Sequence, residues 1–164
     1  FDTLVERFKS GRHVTTPAMM HGITSEPKAA RAYSEIFNDT INVLPCGIVI
    51  SPWCPWLAAS PDRKVYNPQR TPPFGLLEIK CPVSVSSVLE VPYLEKDSTH
   101  KYQLKTNHNY YLQVLMQLAI TGLQWCDFFV WCKDDSAVVT VTFNKEKWEE
   151  VQSKLDTFYF EYFL

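Results

Sequence analysis

The sequence has no surplus of positive charge: 16 lysines and arginines stand against 18 aspartates and glutamates, for a net charge of −2. Whole-surface attraction to a polyanion is thereby excluded, and any contact with nucleic acid has to be made by a local cluster. No apolar run approaches the roughly 18 residues of a membrane span, and no charged-then-apolar leader opens the chain, so no membrane contact is expected. Cys46, Cys54, Cys81, Cys126 and Cys132 include no Cys-x-x-Cys pair, and no paired histidine spacing accompanies them, which argues against zinc or iron–sulfur ligation. An odd set of five fits reduced thiols in an intracellular compartment, the nucleus in a eukaryote, with each cysteine acting as a small core residue. Neither an internal repeat nor a low-complexity segment is present.

What the chain does contain is material for a core. Of its 164 residues, 46% are apolar and 14% aromatic, enough for one domain over residues 1–164 that buries roughly 70% of its unfolded surface. The first residue is Phe1, not Met, as expected of a domain excised from a longer chain.

Phe1, Leu4, Val5 and Phe8 recur at helical spacing and predict a first helix ending near Gly11. Residues 12–16 read as a loop. Ser25-Glu26-Pro27 then reads as the opening of a second helix through Ala30, Tyr33 and Phe37, with Ser25 as N-cap and Asn38-Asp39 as its end. Residues 43–51 predict a short strand. Seven of the 11 prolines fall between Pro45 and Pro73, a density suited to strand ends and rigid loops. Residues 56–61 read as a strand ending at Asp62, residues 64–73 as turn and loop, and residues 92–105 as a polar surface loop with local positive charge from Lys96, Lys101 and Lys105. Residues 109–121 predict a helix stopped by Gly122, with Tyr110, Gln113 and Gln117 in one polar stripe. Residues 128–132 and 137–143 predict two strands of a hairpin. A last helix after Asn144 places Trp148, Val151, Leu155, Phe158 and Tyr162 on one side, as core or interface. This order of helix, helix, three strands, helix, two strands, helix describes an α/β domain whose sheet is covered by helices.

One stretch organises the rest. Phe74-Gly75-Leu76-Leu77-Glu78-Ile79-Lys80-Cys81-Pro82 is an apolar run holding an acid and a base two residues apart. In a strand, Leu76, Glu78 and Lys80 share one face while Leu77, Ile79 and Cys81 share the other. Taking a carboxylate and an ammonium out of water costs several kcal/mol per ion unless something binds them. A metal or a phosphate would answer that cost; a solvated pair on an edge strand is the alternative. Glu-x-Lys occurs again at Glu26-Pro27-Lys28, so the apolar context, not the triplet, singles out Glu78 and Lys80. An antiparallel neighbour ending at Asp62 would bring that acid close to Glu78. Glu26 in a first helical turn also suits the helix dipole, and the glutamine stripe also suits an exposed helical face.

Four blocks follow one another between Gly22 and Gln117: Gly22-x-x-x-Glu26-Pro27-x-Ala29 with Tyr33, Ser60-Pro61-Asp62, Leu77-Glu78-Ile79-Lys80-Cys81-Pro82, and His108-x-Tyr110-Tyr111-x-Gln113-Val114 with Gln117. As an ordered set they resemble the lambda-exonuclease-like branch of the PD-(D/E)xK nucleases, the YqaJ viral recombinase family. The resemblance implies a restriction-endonuclease-like α/β core, a central mixed β-sheet flanked by helices. It implies Mg2+ or Mn2+ held by Asp62, Glu78 and the backbone carbonyl of Ile79, with Glu26 completing a second metal position; hard cations take such oxygen ligands. Lys80 would orient and activate the attacking water, with Gln113 and Tyr110 bracing the site. Where the family carries an Arg-rich segment running into Thr-(Ala/Gly)-Ser, this chain has Gly11-Arg12-His13-Val14-Thr15-Thr16-Pro17. Arg12 is the candidate there for a terminal phosphate, and Tyr110, Lys101 and Lys105 are the other candidate DNA contacts.

The expected activity is a metal-dependent DNA nuclease, a 5′-to-3′ exonuclease acting on duplex ends in recombination or resection. Its partner is DNA, joined by further copies of the chain or a recombination partner protein. An endonuclease of the same fold and a catalytically silent DNA-binding or scaffold module are the rival readings.

Overall fold

The structure, a computed structural model, describes residues 2–11 and 15–164; the candidate Arg12 lies outside the described residues. Helix α1 spans Asp2–Lys9 and α2 spans Pro17–Ile36. Strands β1 Asn42–Pro45, β2 Val49–Ile50, β3 Ala58–Ala59, β4 Arg63–Tyr66 and β5 Phe74–Lys80 follow, then β6 Leu94–Lys96 and β7 Tyr102–Leu104. Helix α3 Asn109–Thr121, strands β8 Trp125–Trp131 and β9 Ser136–Thr142, helix α4 Lys145–Phe158 and a π-helical turn at Tyr159–Phe163 complete the chain. Five strands make the central sheet in the order β1-β4-β5-β8-β9; β5 and β8 run parallel and every other neighbouring pair antiparallel. This is the mixed sheet flanked by helices that the sequence implies. Among the described residues no helix is long and apolar enough to cross a membrane.

Alternation along β5 and β8 divides the core in two. Leu76, Phe128 and Val130 face one side with Val114, Leu115 and Leu118 of α3. Leu77, Ile79 and Phe129 face the other with Ala29, Ala30 and Tyr33 of α2. Phe128 and Phe129 are sequence neighbours, both wholly buried, one in each half. Each such side chain contributes about 1.5–3 kcal/mol by leaving water. Near the start of β5, Gly75 has no room for a side chain, because a Cβ there would run into the Trp125 ring. Helix α3 ends at Gly122, whose φ of +70° supplies the left-handed C-cap.

Several boundaries differ from the sequence reading. Helix α2 starts at Pro17, not after Ser25: the Thr16 hydroxyl caps the Met19 amide at 3.2 Å and Pro17 occupies the first turn, both ordinary helix-start chemistry. Pro27 therefore lies inside the helix, and Glu26 is not a first-turn acid complementing a dipole. Residues 56–61 contribute only the short β3; the strand beside β5 is β4, which starts at Arg63 and runs into the stretch 64–73 read as loop. Val65 buries completely there, and Lys64 places its ammonium over the Phe74 ring at 4.9 Å. Residues 43–51 split between β1 and β2, which belong to different sheets. Residues 92–105 form the β6–β7 hairpin, whose paired Leu94 and Leu104 are both buried; the polar composition of that stretch concealed them. Helix α4 is only partly covered: Trp148 and Val151 pack against the core, and Trp56 reaches the helix by donating its indole N–H to Asp156 at 2.9 Å.

Candidate active site

Strand β5 delivers Glu78 and Lys80 to the α3 side of the sheet. Glu78 is 2% exposed, yet its carboxylate is fully engaged. Gln113 Nε2 donates to Oε1 at 2.7 Å, and Gln117 Nε2, one helical turn on, donates to Oε2 at 2.8 Å. Lys80 Nζ donates to the same Oε1 at 2.6 Å and to Gln113 Oε1 at 3.4 Å, while lying 4.5 Å above the Tyr110 ring. The charge-assisted bond, two amides and a π-face together offset the dehydration of the pair. The polar stripe on α3 thus clamps Glu78, Gln117 from the buried side and Gln113 from the solvent side. Gln117 Oε1 is the single buried side-chain polar atom without a hydrogen-bond partner among the described residues.

Asp62 immediately precedes β4. Because β4 is antiparallel to β5, with Arg63 opposite Leu77, the register carries Asp62 to the level of Glu78, and its Oδ2 accepts the next amide, the Ile79 N–H, at 2.7 Å. Burial, then repulsion from Glu78, pushes the Asp62 carboxyl up to about 7; Glu26 adds to the rise, while the Ile79 N–H and Lys80 oppose it. Glu26 reaches the same region from α2, and there it is ion-paired to Nη1 of Arg63, which also donates to the Asp62 carbonyl oxygen at 2.6 Å. A cavity of about 660 Å³ opens beside this region between Ala18, Met19 and Gly22 of α2, Lys80 of β5, and Tyr93 and Tyr110. Cys81 lines it too; burial and the nearby Asp62 hold its thiol up at about 11.

Among the described residues, no three His, Cys, Asp or Glu side chains converge closely enough to form a ready cation cage. Glu78 is turned to α3, Glu26 to Arg63, and Asp62 to a backbone amide. Donor type and charge nevertheless fit a hard divalent ion: three carboxylates meet two internal cations, Arg63 and Lys80, and burial, with repulsion from Glu78, holds the Asp62 carboxyl up. Of the candidate DNA contacts, Tyr110 lies in the site, Lys105 gives its ammonium to the Pro92 carbonyl at 2.6 Å, and Lys101 is exposed at the β6–β7 turn.

Two features escaped the sequence reading. Arg63 had no assigned role. Asp127 on β8, completely buried, takes a two-pronged ion pair from Arg70 at 3.0 Å, the Tyr33 hydroxyl at 2.6 Å and the Thr140 hydroxyl at 2.7 Å. Its signal, an acid inside an apolar run, is the one that exposed Glu78. Starting that strand at Phe128 left Asp127 outside it.

The family profile of the YqaJ-like viral recombinase domain matches residues 2–124. The chain belongs to this family. The YqaJ-like match takes in Glu26, Asp62, Glu78, Lys80 and both glutamines of the clamp. The same fold occurs in the crystal structure of an alkaline exonuclease, LHK-Exo, from Laribacter hongkongensis, at a TM-score of 0.72 and 24% identity over 96% of this chain and 75% of that one. LHK-Exo in complex with dAMP gives a TM-score of 0.73 and 24% identity over 98% and 75% of the two chains. No curated protein matches the chain.

Proposed function

We propose that this YqaJ-like domain is a divalent-metal-dependent deoxyribonuclease, a 5′-to-3′ exonuclease that shortens duplex ends in recombination or resection. The observation that carries the reading is the Glu78–Lys80 pair, clamped by two amides at a cleft, beside the Asp62 carboxyl held against Ile79. Family membership supports it, as does the shared fold with a protein described as an alkaline exonuclease and crystallised with a mononucleotide.

In this reading Asp62, Glu78 and the Ile79 carbonyl hold Mg2+ or Mn2+, with Glu26 serving a second position. Such an ion, when bound, stabilises charge on the attacking and leaving oxygens of a phosphoryl displacement. Lys80 is placed to hold and orient the attacking water and to offset charge growing on the phosphate oxygens. Gln113 and Gln117 keep the Glu78 oxygens from rotating, so the ligand geometry is set before substrate arrives. An ammonium cannot ligate a cation, so Lys80 belongs to the chemical step.

The test is cleavage of end-labelled linear and closed circular DNA in Mg2+ and in EDTA. Mononucleotides released from linear duplex in Mg2+ alone, with Asp62→Asn and Glu78→Gln each losing nearly all turnover, are the expected result. Cutting of closed circles points instead to an endonuclease, and tight DNA binding without cleavage to a silent module.

A further inference from the structure

Arg63 follows the central acid of the site directly, and its hydrogen bonding is lopsided. Nη1 serves both Glu26 Oε1 and the Asp62 carbonyl oxygen. Nε and Nη2 have no hydrogen-bond partner among the described residues, although the side chain is only 21% exposed. Arg63 also lines a hollow of about 310 Å³ together with Arg31 and Ser34 of α2. A guanidinium fixed only for structure would spend more of its five donors on protein. Glu26, in turn, has no ion-pair partner but Arg63 among the described residues.

We propose that Arg63 is an anion anchor with two alternating partners. Without metal its guanidinium holds Glu26; when that carboxylate turns to a divalent cation, the same guanidinium takes a phosphate oxygen of the bound nucleic acid. This rests on the nuclease reading and adds to it a residue that couples cation binding to substrate binding. The two cations repel, so the guanidinium and the divalent ion compete for one carboxylate. A released guanidinium is planar, weakly hydrated and shaped for two phosphate oxygens. The bond to the Asp62 carbonyl keeps it within reach of the site in both states. Because coupling between two ligands is reciprocal, DNA tightens the cation as much as the cation tightens DNA.

The test uses Mn2+ titrated by electron paramagnetic resonance without DNA, and fluorescence anisotropy of a labelled duplex in EDTA and in Ca2+. Arg63→Gln removes the competitor, so Mn2+ should bind about fivefold tighter or more. Wild type should bind duplex about fivefold tighter or more in Ca2+ than in EDTA, and Arg63→Gln should lose most of that gain. Glu26→Gln frees Arg63 without metal, so in EDTA it should bind duplex more tightly than wild type, an advantage absent from the double variant. Arg63→Lys keeps the charge and gives up the fork; it should retain weak Mn2+ binding and lose the DNA gain, and it decides the matter where Arg63→Gln does not fold. Unchanged or weakened Mn2+ binding in folded Arg63→Gln overturns the proposal, as does a Ca2+ gain that survives the substitution. If the wild type binds Mn2+ and cuts DNA while Arg63→Gln alters neither binding measurement, only this inference falls. A wild type that neither binds Mn2+ nor cuts DNA takes the nuclease reading down with it.

Discussion

In the metal-free protein the Asp62 carboxyl rises from 3.8 to about 7, and that displacement is a statement about stability. A group whose folded value lies above its unfolded one favours folding fully below pH 3.8, and its contribution is lost as the pH climbs through about 7. At 1.36 kcal/mol per pKa unit, ionised Asp62 weighs against the fold at pH 8 by of order 4 kcal/mol, and at pH 5 by less than about 2 kcal/mol. Asp62→Asn keeps the shape, and its Oδ1 can still accept the Ile79 amide. In excess EDTA the variant should therefore be more stable than wild type at pH 8, by an amount that shrinks steadily towards pH 5. For a chain of this size each kcal/mol moves Tm by about 2–4 °C, so the full effect at pH 8 corresponds to about 8–16 °C. Differential scanning calorimetry at four pH values with chelator present measures it. A variant that melts at or below the wild-type temperature at pH 8 refutes the argument, because the carboxylate would then be compensated by something other than a cation. Saturating Mn2+ should narrow the gap by stabilising the wild type alone.

Lys80→Ala should lower kcat at least a hundredfold, roughly the share of a general acid–base group, while its Mn2+-induced rise in Tm persists or grows; retained rate with lost metal binding would reverse the assigned roles. Asp127→Ala strands the Arg70 charge and the Tyr33 hydroxyl and should cost about 3–5 kcal/mol in urea denaturation, whereas a loss below about 1 kcal/mol would mean that the buried pair behaves like a surface one. Gly75→Ala drives a methyl into the Trp125 ring and should lose about 1–3 kcal/mol or more; an unshifted urea midpoint speaks against that packing. The Cys81 thiol at about 11, against an ordinary 9.0, should carry about a hundredfold less thiolate at pH 8 than a free thiol, so iodoacetamide labelling followed by mass spectrometry should find it correspondingly slow.

The site was more legible than the elements that carry it. Glu78 and Lys80 stood out because two charges in an apolar strand need a reason, and the reason on view is the Gln113, Gln117 and Tyr110 clamp. Asp62 was rightly placed beside Glu78 through the wrong strand, since Arg63-Lys64-Val65-Tyr66 is too short and too charged to announce itself. Antiparallel pairing with β5 and burial of Val65 make it a strand, and those are tertiary facts. Pro27 misled because proline is a strong start signal, and only a capped Thr16-Pro17 upstream shows that the helix was already under way. Leu94 and Leu104 were concealed because a three-residue strand offers just one buried position before its polarity averages out. Arg63 could not be read at all: its meaning lies in Glu26, 37 residues away, and in donors left unspent.

The clamp on Glu78 comes from residues 35 and 39 positions later in the chain, across the β6–β7 hairpin, and α3 then leads into β8, which lies parallel to β5. Parallel neighbours can meet only after the whole crossover between them exists, and contacts of such sequence separation form slowly. As the protein is made, Glu78 and Lys80 emerge long before the amides that will hold them. A nascent or truncated chain ending before Gln113 has Glu78 and Lys80 but neither amide of the clamp. The Glu78 clamp therefore closes late in synthesis, when the crossover is complete.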